Sequence, residues 1–362
     1  MKANISWCGS QFTASKRLGW AVRRLQAGLS LWGVMFLAGA SVTAQTFTVF
    51  EAPNALFTRP TAINPAGTIT GYFEVTLSGL HAFVRSPLGV ITVFQPPDVD
   101  GRPATDVMPN AISPSGVIIG SFRPAGYSVA MGFVRDPGGA ITVFSAPFPG
   151  NTVPTAINPA AVVTGTVGHG TTMFRGFVRD SEGGYAIFDV PNASRTWPTA
   201  INPSGAIVGY WWGTGGSGQS GAFLRDPQGT ITDIGHRSAS FISPSAISPA
   251  GTITGQLVEA ATGRYRGFVR APAGVITMFD PPNSGQTDTR AIRPSGEVTG
   301  SYYDSTALRT RGFLRTVQGE ITVFDCPNSS STWPTAISAS GAITGSFYDT
   351  VAGRVRGFVR TP

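Results

Sequence analysis

One short segment recurs along this sequence and constrains its fold more than any other feature. GFVRDPGGAITVF occupies residues 132–144. Close variants begin at Ala82, Gly176, Ala222, Gly267 and Gly312, and a truncated copy, GFVRTP, lies at residues 357–362. Two further elements, PTAINP and ITVF or their relatives, recur with the same period of about 45 residues, and each occurs seven times. Such a chain must bury its core by packing similar units against one another.

Each copy contains four short segments rich in β-branched and aromatic residues. In order, they are TAIN, a segment such as AITGSF, RGFVR and ITVFD. Pro-Ser-Gly or Asp-Pro-Gly-Gly turns separate the first from the second and the third from the fourth, which predicts two hairpins. Four short strands in about 45 residues are typical of one propeller blade. The sequence therefore predicts an all-β fold, a seven-bladed β-propeller of four-stranded blades, formed by residues 45–362 as a single domain.

The two ends of the repeated region hold complementary parts of one copy. QTFTVF, at residues 45–50, is a fourth strand without its three predecessors, and RGFVRTP at the other end is a third strand without its successor. We expect the N-terminal strand to complete the last blade and close the ring, because closure leaves no open sheet edge. A β-solenoid or a row of separate modules, the alternative architectures, does not require a divided blade.

Residues 1–44 differ from the rest of the chain. The apolar run LSLWGVMFLAGASV follows a basic region with Arg23 and Arg24 and ends before the small residues Thr43 and Ala44. This pattern predicts a signal peptide that is cleaved after Ala44. An uncleaved anchor is the alternative, but the run is shorter than the roughly 20 residues of a membrane helix. We expect export to the periplasm, the cell surface or the medium, with no membrane span in residues 45–362.

Charge and cysteine content exclude several classes of protein. The formal net charge is +7, but residues 1–44 contain five basic and no acidic residues, so residues 45–362 carry +2. This low charge does not support nucleic-acid binding. Cys326 is the only cysteine after residue 44, which excludes an internal disulfide or a cysteine metal cluster. We expect no cofactor.

The third-strand motif resembles the bacterial extracellular repeats called the HAF family. HAFVR, from His81 to Arg85, matches the motif that gives the family its name, and RGFVR or RGFLR fills the same place in later copies. The resemblance covers residues 45–362. It implies a secreted or surface protein of β repeats and carries over no catalytic residues. Only the first copy keeps the histidine, so the resemblance assigns no role to His81.

Variation between the copies separates scaffold from candidate site. The spacing from the third-strand phenylalanine to the last residue of the fourth strand is 11 in all six complete copies, whereas one connection between copies is longer by five residues. Variable connections are where binding residues are most often found. Aromatic rings near them suit stacking on sugars, with arginine providing orientation. The candidate ligand-binding residues are Trp197, Trp211, Trp212, Trp333, Arg59, Arg290, Tyr302 and Tyr303.

Two further interpretations accompany these candidates. Arg59 and Arg290 are taken to occupy matching positions in two copies, and the aromatic rings have the alternative role of covering gaps between blades. The arginines that follow the third-strand phenylalanine are expected to donate hydrogen bonds to scaffold carbonyls or acids. They are Arg85, Arg135, Arg179, Arg225, Arg270, Arg315 and Arg360.

The insertion QPPDVDGRPATDVMPN weakly resembles a calcium loop. Asp98, Asp100 and Asp106 surround a glycine turn, but the remaining ligand positions and the terminal glutamate are missing. A solvated acidic loop is the favoured interpretation, and we expect no metal site.

These patterns favour an exported β-propeller that acts as a binding or interaction module, with a glycan or another protein as its ligand on the face that carries the long, variable connections. A propeller enzyme, a glycoside hydrolase or lyase that uses loop carboxylates on a polysaccharide, is one alternative. A structural cell-envelope protein is another. Enzymatic activity is the less favoured prediction, because His81, His169 and His236 fall in different copies and in no motif.

Overall fold

The computed structural model describes residues 45–75, 79–169, 173–213 and 219–362. These residues form β-strands and connecting turns without any helix, and they belong to one compact unit. In this part of the chain, no helix is long and apolar enough to cross a membrane. The predicted signal peptide, residues 1–44, lies outside the described residues. The all-β prediction is confirmed.

The described residues contain 28 strands, which we group by copy into sheets 1 to 7. Strand β1 is Thr46–Phe50. Sheet 1 contains β2 (Phe57–Ile63), β3 (Ile69–Glu74), β4 (Leu80–Arg85) and β5 (Ile91–Phe94). Sheet 2 contains β6 (Ala104–Ile112), β7 (Ile118–Pro124), β8 (Met131–Arg135) and β9 (Ile141–Phe144). Sheet 3 contains β10 (Asn151–Ile157), β11 (Val163–His169), β12 (Met173–Arg179) and β13 (Tyr185–Phe188).

The remaining sheets follow the same plan. Sheet 4 contains β14 (Ala193–Ile201), β15 (Ile207–Gly213), β16 (Ser220–Arg225) and β17 (Ile231–Asp233). Sheet 5 contains β18 (Ala239–Ile247), β19 (Ile253–Glu259), β20 (Tyr265–Arg270) and β21 (Ile276–Phe279). Sheet 6 contains β22 (Ser284–Ile292), β23 (Val298–Asp304), β24 (Arg309–Arg315) and β25 (Ile321–Phe324). Sheet 7 contains β26 (Ser329–Ile337), β27 (Ile343–Asp349), β28 (Arg354–Thr361) and β1.

Neighbouring strands within each sheet pair antiparallel in chain order, as expected for two hairpins per copy. Sheet 7 is assembled from both ends of the repeated region, since β1 pairs with β28 from Thr46 opposite Thr361 to Phe50 opposite Gly357. A single parallel pair, Phe174 with Arg195, joins sheets 3 and 4 into one continuous eight-stranded sheet.

The apolar core is divided into clusters that lie between sheets. Each cluster combines residues from two consecutive sheets. Between sheets 1 and 2, for example, the ring of Phe94 packs edge-on against Phe133 at 6.0 Å. Another cluster combines sheets 7 and 1, where Phe50 packs edge-on against Phe83 at 6.1 Å. Inter-sheet burial therefore stabilises the whole arrangement.

The packing explains the recurring motif. A side chain on Gly132 would lie 2.6 Å from the ring of Phe144, so only a very small residue fits where the fourth-strand ring covers the third strand. Arg135 stacks its guanidinium 5.0 Å from the ring of Phe94 in the preceding sheet and donates a hydrogen bond to the carbonyl of Asp136. The scaffold role expected for these arginines is therefore seen at Arg135, and the same carbonyl bond is present at Arg85, Arg179, Arg225 and Arg315.

The strand order fixes where the connections lie. Turns from the first to the second strand and from the third to the fourth lie at one end of each sheet. The connections from the second to the third strand and from one copy to the next lie at the opposite end, and they include the connection that is longer by five residues. Each first strand carries a β-bulge near its last residues, as between Pro60 and Ala62 in β2.

Candidate functional site

A cavity of about 580 Å³ lies between strands of sheets 6, 7 and 1. It is within the usual size of small-molecule pockets. Its lining combines aromatic, hydroxyl and charged side chains. The lining residues include Arg59, Tyr72, Asp288, Arg290, Tyr302, Tyr303, Thr310, Trp333 and Ser346.

The strand register explains which residues meet there. Asp288, Trp333 and Arg59 each lie four positions before the isoleucine that ends the first strand of sheets 6, 7 and 1. They oppose Ser301, Ser346 and Tyr72 on the second strands. An acid, an aromatic ring and a guanidinium therefore occupy equivalent positions of three sheets.

The expectation that Arg59 and Arg290 occupy matching positions is wrong. Arg59 pairs with Tyr72 in regular register, whereas Arg290 lies at the β-bulge between Thr289 and Ala291, two positions further along its strand. A bulge redirects the side chain of the extra residue. Both arginines nevertheless line the cavity.

Hydrogen bonds hold the strands that carry these side chains. The hydroxyl of Thr335, at the bulge position of β26, donates to the carbonyl of Pro60 in β2 at 3.1 Å. Next to Trp333, the buried hydroxyl of Thr332 accepts a hydrogen bond from the backbone amide of Cys326 at 3.2 Å. The connection that leads into β26 and the junction between β26 and β2 are therefore both fixed beside the cavity.

Trp197 and Trp333 occupy equivalent positions but have different surroundings. The ring of Trp197 stacks on Phe174 at 5.4 Å and on Tyr210 at 5.1 Å. At the positions of those two rings, the surroundings of Trp333 contain Thr310 and Ser346, both of which line the cavity. No aromatic ring of a described residue stacks on Trp333. Both tryptophans are half-buried, but Trp333 lines the cavity, whereas the ring of Trp197 is stacked between other aromatic residues.

Two of the sequence candidates pack in or against the core clusters. Tyr302 is 2% exposed and packs in the cluster of Phe279, Val298 and Phe313. Trp211 packs against the cluster between sheets 3 and 4. Both follow the second-strand glycine by two residues, the position that phenylalanine fills in Phe347 of sheet 7. Tyr302 is nevertheless among the residues that line the cavity, whereas the half-buried Trp211 lies outside it.

Two other candidates lie at the surface. Trp212 is 40% exposed and lies beside Phe241, with ring centroids 5.7 Å apart, away from the cavity. Tyr303 is 42% exposed and lines the cavity. Adjacent strand residues point to opposite faces, which explains why Trp212 and Tyr303 are outside while Trp211 and Tyr302 are inside.

The charges in the cavity are unevenly paired. Asp288 and Arg290 form an ion pair with 2.5 Å between oxygen and nitrogen. Burial raises the pKa of the Asp288 carboxyl, and the nearby charge of Arg290 opposes that rise. Arg59 stacks 5.3 Å from the ring of Phe57, and no carboxylate of a described residue lies within ion-pair distance of it. The lining therefore carries one guanidinium without a charged partner.

The remaining acidic candidates are engaged elsewhere. Asp100 accepts a hydrogen bond from the hydroxyl of Tyr127 at 2.5 Å, and Asp106 lies 3.6 Å from Arg123. Asp98 lies in the same insertion. Across the described ranges, no three histidine, cysteine, aspartate or glutamate side chains come together as a metal site. Asp288 is the one carboxylate among the residues that line the cavity, so a pair of catalytic carboxylates is not assembled there.

Sequence reasoning found Arg59, Arg290, Tyr302, Tyr303 and Trp333 but missed Thr310 and Ser346. The missing signal was present in the repeat. Of the two copies with a tryptophan at this position, the one with Trp197 has Tyr210 after the second-strand glycine, whereas the one with Trp333 has Ser346 there. Cys326, interpreted as an ordinary position, is 3% exposed, and burial raises the pKa of its thiol.

Comparisons with known proteins show the fold. No protein-family model matches the sequence, and no curated protein matches it. Among solved structures, a virginiamycin B lyase from Staphylococcus aureus is similar with a TM-score of 0.57 and 13% identity, over 88% of this chain and 99% of that chain. A streptogramin B lyase is similar with a TM-score of 0.55 and 14% identity, over 87% of this chain and 97% of that chain. A puromycin hydrolase is similar with a TM-score of 0.55 and 14% identity, over 85% of this chain and 55% of that chain. The described residues therefore have a β-propeller-like fold.

Proposed function

We propose that this protein is an exported, seven-bladed β-propeller that binds a saccharide in the cavity around Trp333. The observation that carries the proposal is the half-buried Trp333, which lines the cavity with no aromatic ring of a described residue stacked on it, whereas its equivalent in sheet 4 is stacked on two sides. Aromatic rings combined with a few polar groups are well suited to sugars, because a sugar ring offers an apolar face and a polar edge.

Contacts between the first and last sheets support the closed ring. The cluster around Phe50 and Phe83 also contacts Ala336 and Val359 of sheet 7, as the other clusters join consecutive sheets. The Thr335 bond to Pro60 repeats the bond from Thr155 to Pro198 between sheets 3 and 4. A second cavity, of about 400 Å³, is lined by first strands of sheets 1, 4, 5, 6 and 7, as expected around a common axis.

Export rests on the sequence of residues 1–44, with a basic start, an apolar run and a small-residue end. The HAF-like motif agrees with an extracellular repeat protein. A saccharide is favoured over a protein ligand because the aromatic surface lies in a concave site with polar walls, whereas protein interfaces usually need a broad exposed patch. The enzyme alternative gains no support from a cavity with a single carboxylate.

Titration of the purified protein with a panel of neutral and acidic oligosaccharides tests the proposal. Binding is measured by thermal shift and calorimetry. Trp333→Ala should weaken it about 2- to 12-fold, since an aromatic stack contributes about 0.5–1.5 kcal/mol beyond burial. Trp197→Ala is the matched control and should lower the melting temperature without changing affinity. Binding that survives Trp333→Ala would contradict the site, and release of cleaved sugar would favour the enzyme.

A further inference from the structure

The cavity around Trp333 has a charge that its own residues do not neutralise. Among its lining residues, only Arg59, Asp288 and Arg290 are charged at neutral pH. Asp288 and Arg290 neutralise each other across 2.5 Å. The excess is one positive charge, and it belongs to Arg59.

The guanidinium of Arg59 contacts an aromatic ring, and this contact leaves its N–H donors available. It lies 5.3 Å from the ring centroid of Phe57, and that ring packs edge-on against Tyr72 at 6.2 Å. Stacking uses the flat face of a guanidinium and leaves the N–H groups at its edge free to donate. The guanidinium makes no hydrogen bond to a described residue, and the side chain is exposed.

Arg59 is also next to the aromatic ring in the order of sheets. Trp333 and Arg59 occupy equivalent positions on the first strands of sheets 7 and 1, and the Thr335 bond to Pro60 joins those strands. On the other side of Trp333, sheet 6 presents the neutralised pair of Asp288 and Arg290. A ligand ring stacked on Trp333 would therefore have an unpaired guanidinium, that of Arg59, on one side only.

We infer that the ligand is an acidic sugar whose ring lies on Trp333 and whose carboxylate accepts hydrogen bonds from Arg59. This inference rests on the proposed saccharide-binding function. A carboxylate is planar and has two acceptor oxygens, which fit the fork of one guanidinium. Its single negative charge equals the excess charge of the cavity. A neutral sugar would leave the N–H groups of Arg59 to water.

Paired probes that differ only at C6 test the inference. Trimers of galacturonic, mannuronic and glucuronic acid are compared with the trimers of galactose, mannose and glucose, by calorimetry in low salt. The acidic member of at least one pair should bind about 10- to 100-fold more tightly, the range expected when a hydrogen bond to a charged group is added. This preference should shrink at about 0.5 M salt, where charges are strongly screened.

Variants assign the preference to one side chain. Arg59→Gln should abolish the preference for the acid, so that the acidic and neutral trimers bind with similar affinity. Arg237→Gln removes the same charge at an exposed position outside the cavity and should change neither. Equal binding of acidic and neutral trimers, both weakened by Trp333→Ala, would overturn the acidic-sugar inference and leave the proposed function standing. Absence of binding to every trimer would overturn both.

Discussion

Replacing Phe50 with alanine tests whether the N-terminal strand closes the ring. Phe50 is 8% exposed, lies edge-on to Phe83 at 6.1 Å and supports the guanidinium of Arg85 at 4.9 Å. Its ring also covers Gly357 of β28. Removing a buried phenylalanine ring typically costs about 3–5 kcal/mol, because the transfer free energy is lost and a cavity is left behind.

The effect on thermal unfolding follows from the size of the domain. At about 2.1 cal/mol/K per residue, the unfolding entropy of residues 45–362 is about 0.7 kcal/mol/K, so the melting temperature should fall by roughly 4–8 °C. Circular dichroism or calorimetry measures this shift. Phe94→Ala is the matched control, because Phe94 is 9% exposed and fills the equivalent position between sheets 1 and 2.

In a closed ring the two variants should lose similar stability, since each removes one ring from an inter-sheet cluster. In an open row of modules, Phe50 lies on a terminal strand that frays, and its replacement would cost little. A melting temperature within about 1 °C of the wild type for Phe50→Ala, together with the full loss for Phe94→Ala, would refute ring closure.

Two further outcomes are expected. Arg135→Ala should destabilise the protein by about 1–2 kcal/mol, because it removes the stack of the guanidinium on Phe94. Arg270→Ala should destabilise it less, because Ile234 replaces the phenylalanine at that position. Melting curves compare the two variants, and any loss of sugar binding by Arg135→Ala would contradict its scaffold role. Cys326 should resist iodoacetamide in the native protein at about pH 8, because burial raises the pKa of the thiol and keeps the reactive thiolate scarce. Peptide mass spectrometry measures the labelling, and rapid modification without denaturant would contradict the burial.

The sequence by itself determined the local architecture. Strand positions and hairpins follow from the 45-residue period, from alternating apolar residues and from turns such as Asp-Pro-Gly-Gly, all of which act over a few residues. The sequence also predicted the pairing of β1 with β28, because an incomplete copy at each end leaves one strand without a partner. Roles for single side chains were less predictable: Trp211 and Trp212 are adjacent in sequence, yet one packs in the core and the other is exposed.

Only the tertiary structure decided where the candidate site lies. Arg59 and Trp333 are distant in sequence, and they meet because sheet 7 packs against sheet 1 through the Phe50 cluster and the Thr335 bond. Trp197 and Trp333 follow the same local pattern, so sequence reasoning treats them alike. Their surroundings differ because Phe174 and Tyr210 stack on one ring, whereas the small side chains of Thr310 and Ser346 lie beside the other. Whether an aromatic ring is available to a ligand depends on what packs against it, and neighbouring sheets supply those contacts.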